Sequence, residues 1–214
     1  MQKIMFNDTY GLTTAVLQRR KTKTRRLCKE RATNELIPAA DVESYRYYPE
    51  ENLVEFLMQD GSIKVSVPPY KIGEVMAVAQ SYGSILNEVP DRIKEYVIGF
   101  YSDSRAWNNK MFVRADLMPH QIRITDIKVE RLQDISDEDI IKEGVEKGMY
   151  LEPENVLYYF DEFCGFFRDG QVRMKGYSYK TAREAFAALI DKVGGKGTWE
   201  RNPYVFAYEF ELVK

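Results

Sequence analysis

Histidine occurs once, at His120, and cysteine twice, at Cys28 and Cys164. One histidine excludes a histidine-rich metal centre and argues against a Ser-His-Asp triad. Two cysteines, neither in a Cys-x-x-Cys pair, cannot supply a disulfide framework. No apolar run approaches the ~20 residues needed to cross a bilayer, so no membrane partner is expected. The start, Met-Gln-Lys-Ile-Met-Phe-Asn-Asp, has no apolar stretch before its first acid, which reads as a cytoplasmic chain without a signal peptide. Repeats and low-complexity linkers are also missing. What is present is core material: 44% of the 214 residues are hydrophobic and 13% aromatic. A chain of that length buries roughly 70% of its unfolded surface, which excludes general disorder and favours one elaborated domain over two small ones.

The net charge of −2 hides an uneven distribution. Residues 19–31, RRKTKTRRLCKER, hold eight bases against one acid, so the rest carries 23 bases against 32 acids, a net of −9. A local cationic patch on an acidic body suits one specific anionic ligand better than diffuse binding to phosphates. The plainer reading is a set of solvated side chains.

Hydrophobic spacing predicts a first helix over 9–20, with Asp8 or Thr9 as its cap. Tyr45–Tyr48, Leu53–Met58 and Ser62–Val67 are β-rich, the last two joined through Asp60-Gly61, and 32–69 reads as a hairpin insertion. A strand buried on both faces is expected over Val75–Ala79, and a short helix over Asp91–Tyr96. Gln121–Leu132 reads as a long strand whose alternation changes phase once. Ser136 to Asp139 opens a short helix that Gly144 stops, and Thr181 to Glu184 opens another that Gly194-Gly195 ends. Tyr204–Val213 closes the chain as a strand. Strands outnumber helices without regular alternation, so the fold class expected is α+β, a small mixed barrel with helices across its mouth.

The run Arg19-Arg-Lys21-Thr-Lys-Thr24-Arg-Arg26, leaving the first helix, resembles the G-x-K-x-x-T-x-R motif of the ASCH domain family, with Arg19 where that motif has glycine. Pro69-Tyr-Lys-Ile-Gly-Glu-Val-Met-Ala-Val resembles the family's strand entry. Leu117-Met-Pro119, Arg123-Ile124, residues 126–143 and the ending Gly197-Thr-Trp199-Glu-Arg-Asn202-Pro203 resemble its phage and prophage subgroup. The resemblance implies a PUA-like β-barrel with flanking helices and a β-hairpin insertion. It makes 1–214 a single domain with insertions at about 28–68 and 146–177.

The resemblance implies RNA or a modified nucleoside as partner, held in a basic cleft beside the first helix and lined by Arg20, Lys23, Arg26, Trp199 and Asn202. It also implies an alternative, an amidohydrolase that removes acetyl from N4-acetylcytidine with Lys21, Thr24 and Glu143. A third reading is a non-catalytic regulatory protein of a phage or mobile element. No cofactor and no metal are expected; the acids Asp134, Asp137, Glu138 and Asp139 are explained by helix capping and lack the spacing of a calcium loop.

Three physical questions stay open in the sequence. Lys21 and Thr24 converge only if the chain turns between them, as at a helix end. Lys21 must be neutral to act as a base, which burial and neighbouring cations favour and a close Glu143 opposes. Glu143 in the last turn of a helix faces the unfavourable end of the dipole, which calls for a cationic partner. The aromatic run Tyr158 to Phe167 reads as a local core rather than a base-stacking surface, and Trp199 as a side chain lining the cleft.

Overall fold

The computed structural model describes the backbone of residues 1–150, 152–168 and 171–214, and the side chains of 1–148, 157–160 and 178–214. The order is β1 (Lys3–Ile4), α1 (Leu12–Leu17), β2 (Lys23–Leu27), β3 (Val42–Tyr48), β4 (Leu53–Met58), β5 (Ile63–Ser66) and β6 (Val75–Val78), then α2 (Tyr82–Ile85) and α3 (Asp91–Tyr101). It continues with β7 (Gln121–Arg131), α4 (Asp137–Lys142), β8 (Glu146–Tyr150), β9 (Glu152–Arg168), β10 (Gln171–Tyr179), α5 (Ala182–Gly194), α6 (Thr198–Arg201) and β11 (Tyr204–Leu212). The chain is mixed α+β, with three sheets. Among the described residues no helix is long and apolar enough to cross a membrane.

The main sheet has the order β1-β6-β7-β11-β2, antiparallel except for the β1/β6 pair. None of the described sheets closes on itself; β1 and β2 are the two edges of this one. β11 lies between β7 and β2, which explains why Tyr204 through Tyr208 are buried without alternation. The expected phase change in β7 falls at Thr125, which is skipped in the register between Asp126 opposite Glu209 and Ile124 opposite Phe210.

Residues 42–66 correct the hairpin expectation. The Asp60-Gly61 turn does join β4 to β5, with Gly61 at φ 81°. However, β3 adds a third antiparallel strand, and Val42, Val54 and Phe56 enter the main core. The reason is aromatic packing: Phe56 and Tyr45 lie 5.1 and 5.5 Å from the Tyr204 ring. β8, β9 and β10 form a second antiparallel sheet, in the order β10-β9-β8. Most of the aromatic run, and Cys164, lie outside the described side chains; Phe160 is buried, edge-on to Tyr10 and stacked on Tyr179.

α3 continues to Tyr101, five residues beyond the expected short helix, and with α2 encloses a separate small core around Tyr82, Ile85 and Val97. α5 carries the complete capping box of Thr181 and Glu184 and packs Phe186 and Leu189 inward. Val193, near the end of the helix, is 47% exposed.

α1 is shorter than expected. Its N-cap is Gly11 in the left-handed conformation, because Asp8 is engaged elsewhere, accepting from Thr13 Oγ1 and from Lys110 Nζ. At its other end Arg19 adopts φ 61°, the backbone that the glycine of the resembled motif would take at no steric cost. The Ala15 carbonyl then accepts from both Arg20 N and Lys21 N, at 2.8 and 2.9 Å. This tight reversal turns the basic run back into the molecule.

Candidate functional site

The reversal at Arg19 makes Lys21 point inward while Thr24 sits one step into β2, opposite Tyr208 of β11. α4 is brought alongside by Thr22 N, which donates to the Lys142 carbonyl at 2.9 Å. Ser136 Oγ caps this helix by accepting from Asp139 N, as expected; the Asp139 carboxylate does not complete a capping box and instead meets Lys23 at 2.8 Å and Arg25 at 3.5 Å. Glu143 is the C-cap, and Gly144 leaves the helix at φ 101°. A Cβ at Gly144 would lie 3.2 Å from Leu12 Cδ2 and 3.5 Å from Lys21 Cδ. Glycine is therefore favoured there by its backbone and by the close approach of Leu12, while Lys21 passes at ordinary contact distance.

Lys21 Nζ lies 2.6 Å from Glu143 Oε2 and donates to the Glu143 carbonyl at 2.7 Å. The side chains are 2% and 6% exposed. One ammonium thus neutralises both the carboxylate and the negative end of α4. The other Glu143 oxygen accepts from Arg25 Nη1 at 2.8 Å, while Arg25 Nη2 and Nε reach Glu130 Oε1 at 2.6 and 3.1 Å. Glu130 is also met by Lys128 at 2.8 Å. The result is a buried chain of alternating charge, Lys21, Glu143, Arg25 and Glu130, in which the hydrogen-bonding capacity that burial makes costly to leave unused is met.

This geometry resolves the competition left open by the sequence. Burial pushes the Lys21 pKa down, Arg26 and Arg25 add to that, and together they outweigh Glu143, leaving the amine below its ordinary value. Burial alone would raise Glu143, but Lys21 and Arg25 hold its carboxyl below the usual range.

The pair stands on the wall of a cavity of about 470 Å³, within the ~300 to 1,000 Å³ of small-molecule sites. Thr24, Arg25 and Arg26 share that wall, with Phe6, Leu12 and Phe186 providing apolar surface and Asp8, Asn108, Asn109 and Lys110 forming a polar side. The Thr24 hydroxyl makes no hydrogen bond among the described residues, although Thr24 is 3% exposed. Lys110 Nζ fixes the polar side by donating to Thr13 Oγ1 at 3.0 Å and to the Phe6 carbonyl.

Of the residues singled out by sequence, Lys21, Thr24, Glu143 and Arg26 meet at this cavity. The other four do not line it, and each has a structural reason. Arg20 turns outward to Glu146 at 2.7 Å. Lys23 is held between Asp139 and Glu209, the latter at 3.6 Å. Trp199 packs edge-on to Phe186 beneath the Arg183 guanidinium, 5.4 Å from its ring, with its backbone N–H on Asp191. Asn202, at φ 43°, accepts from Gln133 N at 2.7 Å and shapes the turn into β11. Arg25, Glu130 and Lys110 are the members that sequence reasoning missed. The only signal for Glu130 is an acid inside the apolar stretch of β7. Among the described residues no cluster of three or more His, Cys, Asp or Glu could hold a metal.

No family model, no curated protein and no solved structure matches the chain. Lys21, Thr24 and Arg26 share one cavity wall; Lys21 Nζ is held by Glu143, and no hydrogen bond joins it to the Thr24 hydroxyl among the described residues.

Proposed function

We propose that this chain is a PUA-like protein of the ASCH type that hydrolyses the acyl amide of an acylated cytidine, N4-acetylcytidine being the model substrate. Lys21 acts as base, Thr24 as nucleophile and Glu143 as the partner that holds Lys21. The observation that carries the proposal is the 2.6 Å Lys21–Glu143 pair, buried on the wall of the cavity that Thr24 shares. In the first step neutral Lys21 takes the Thr24 proton as Oγ1 bonds to the acyl carbon, and the carbonyl oxygen becomes an oxyanion. Collapse breaks the bond to the cytidine amine, which leaves with the proton carried by Lys21. Water then attacks the threonine ester, Lys21 accepting and returning one proton, and the carboxylic acid departs.

Four bases of the basic run, Arg20, Lys21, Lys23 and Arg25, are spent on internal carboxylates, which weighs against a broad phosphate-binding face. Nucleic-acid binding without chemistry remains the second reading, favoured by Arg26 and Lys29, which have no such partner among the described residues. Incubation with N4-acetylcytidine tests the first reading. Cytidine is expected to be released, and Thr24→Ala to abolish release; turnover by that variant refutes the nucleophile. Filter binding of RNA at two salt concentrations tests the second, for which binding must weaken as salt rises.

A further inference from the structure

A second cavity of about 370 Å³ adjoins the first. Arg25, Arg26, Ile190 and Val193 wall both. Beyond that boundary the surface is mostly apolar, made by Leu27, Pro69, Leu132 and Val205, with Lys29 as the further cation. Arg26 donates to the Met5 carbonyl at 3.1 Å, and most of its N–H groups are left for a ligand. The two bases of the run that line this cavity without a carboxylate partner among the described residues are thus set around apolar walls. That combination fits a flat, weakly polar group attached to an anion.

We propose that the ligand has two linked parts, one in each cavity, joined by a phosphate that Arg26 holds at the boundary. This rests on the preceding reading for the first part, the acylated cytidine, and names the substrate class as a cytidine joined by a phosphodiester to a neighbouring nucleotide. The second base lies between the apolar walls, and Lys29 faces the linking charge. A free nucleoside leaves the second cavity unused. A longer acyl chain covers its walls but brings no anion to Arg26 and Lys29.

The test is calorimetric titration of the intact protein with three probes that carry no acyl group and cannot be turned over: cytidine, the dinucleotide cytidylyl-cytidine, and the same dinucleotide with an uncharged methylphosphonate link. The expected order is dinucleotide tighter than cytidine by about tenfold or more, with most of that gain lost on the uncharged link, as befits a charge-assisted contact. Lys29→Glu, at an exposed position, is expected to weaken dinucleotide binding by a similar factor. Equal affinity for cytidine and the dinucleotide, no loss on the uncharged link, or no binding of the dinucleotide overturns the proposal, and none of these readouts needs a variant. Failure to hydrolyse N4-acetylcytidine strikes the hydrolase reading alone, since these affinities decide the two-part ligand in either case.

Discussion

Replacing Arg25 by methionine keeps a long apolar stem and removes the charge that separates two buried carboxylates. Glu143 is left with Lys21 alone, and Glu130 with Lys128, whose side chain is 68% exposed. Removing one partner of a buried ion pair costs about 3 to 5 kcal/mol. At ~2 to 4 °C per kcal/mol for a chain of this size, the melting temperature should fall by about 6 to 20 °C. The same substitution acts on Lys21. It removes a repelling cation and leaves Glu143 to one ammonium, so the lowered Lys21 pKa rises. Activity that requires neutral Lys21 increases as pH passes that pKa, and the ascending limb of the pH–rate profile must therefore move to higher pH. Arg25→Lys retains the cation and should hold the limb near that of wild type. It should still lose stability, because an ammonium cannot span Glu130 and Glu143 with a fixed fork of N–H groups. Circular-dichroism melts and pH profiles of N4-acetylcytidine hydrolysis are the assays, with NMR titration of the Lys21 side chain as the readout where turnover is slow. A methionine variant that melts within about 2 °C of wild type, or a limb that moves to lower pH, refutes the reasoning.

Gly144→Ala forces a positive φ on a residue whose Cβ would crowd Leu12; a loss of about 1 to 3 kcal/mol in urea unfolding is expected. Arg19→Gly should act in the opposite sense, since φ 61° costs a side-chain residue about 1 to 2 kcal/mol, partly offset by the greater freedom of an unfolded glycine and by the lost bond to the Leu212 carbonyl. A melting temperature below that of wild type would contradict it. Glu143 titrates below its unfolded value, so its contribution is present above about pH 4.3 and is lost as pH falls through the folded pKa. Acid unfolding of Glu143→Gln should show a shallower slope in that window. Lys21 titrates below its unfolded value of about 10.4, so wild type should gain stability relative to Lys21→Met as pH rises from the lowered folded pKa toward that value.

Local chemistry was readable wherever one short stretch decides the outcome. The Asp60-Gly61 turn, the Thr181 to Glu184 box, the Ser136 cap and the phase change at Thr125 are such cases. β3 was only partly readable as a strand, and its place in the core was not, because residues 43–46 are exposed and its ties to the main core are Val42, Tyr47 and the contact of Tyr45 with Tyr204. The turn bringing Lys21 toward Thr24 was permitted by the sequence, but the left-handed Arg19 that completes it belongs to a residue type with no preference for that conformation. Arg25 looked like one more base in a run of eight; its burial depends on Glu130 and Glu143, 105 and 118 residues away. The resemblance places Trp199 and Asn202 in the cleft, yet Trp199 packs edge-on to Phe186 and Asn202 accepts from Gln133 N, contacts that hold the scaffold and that no short stretch of sequence shows.

Lys21 and Glu143 are separated by 122 residues of chain, so neither half of the polypeptide holds the buried pair. A nascent chain that has not yet reached α4 lacks the Lys21 counterion, and the pair is completed only when the later segment docks. Cleaving the polypeptide between residues 120 and 137 would put Lys21 and Glu143 on different pieces, so that on the proposed hydrolase reading recovered turnover on mixing would count reassembled molecules directly.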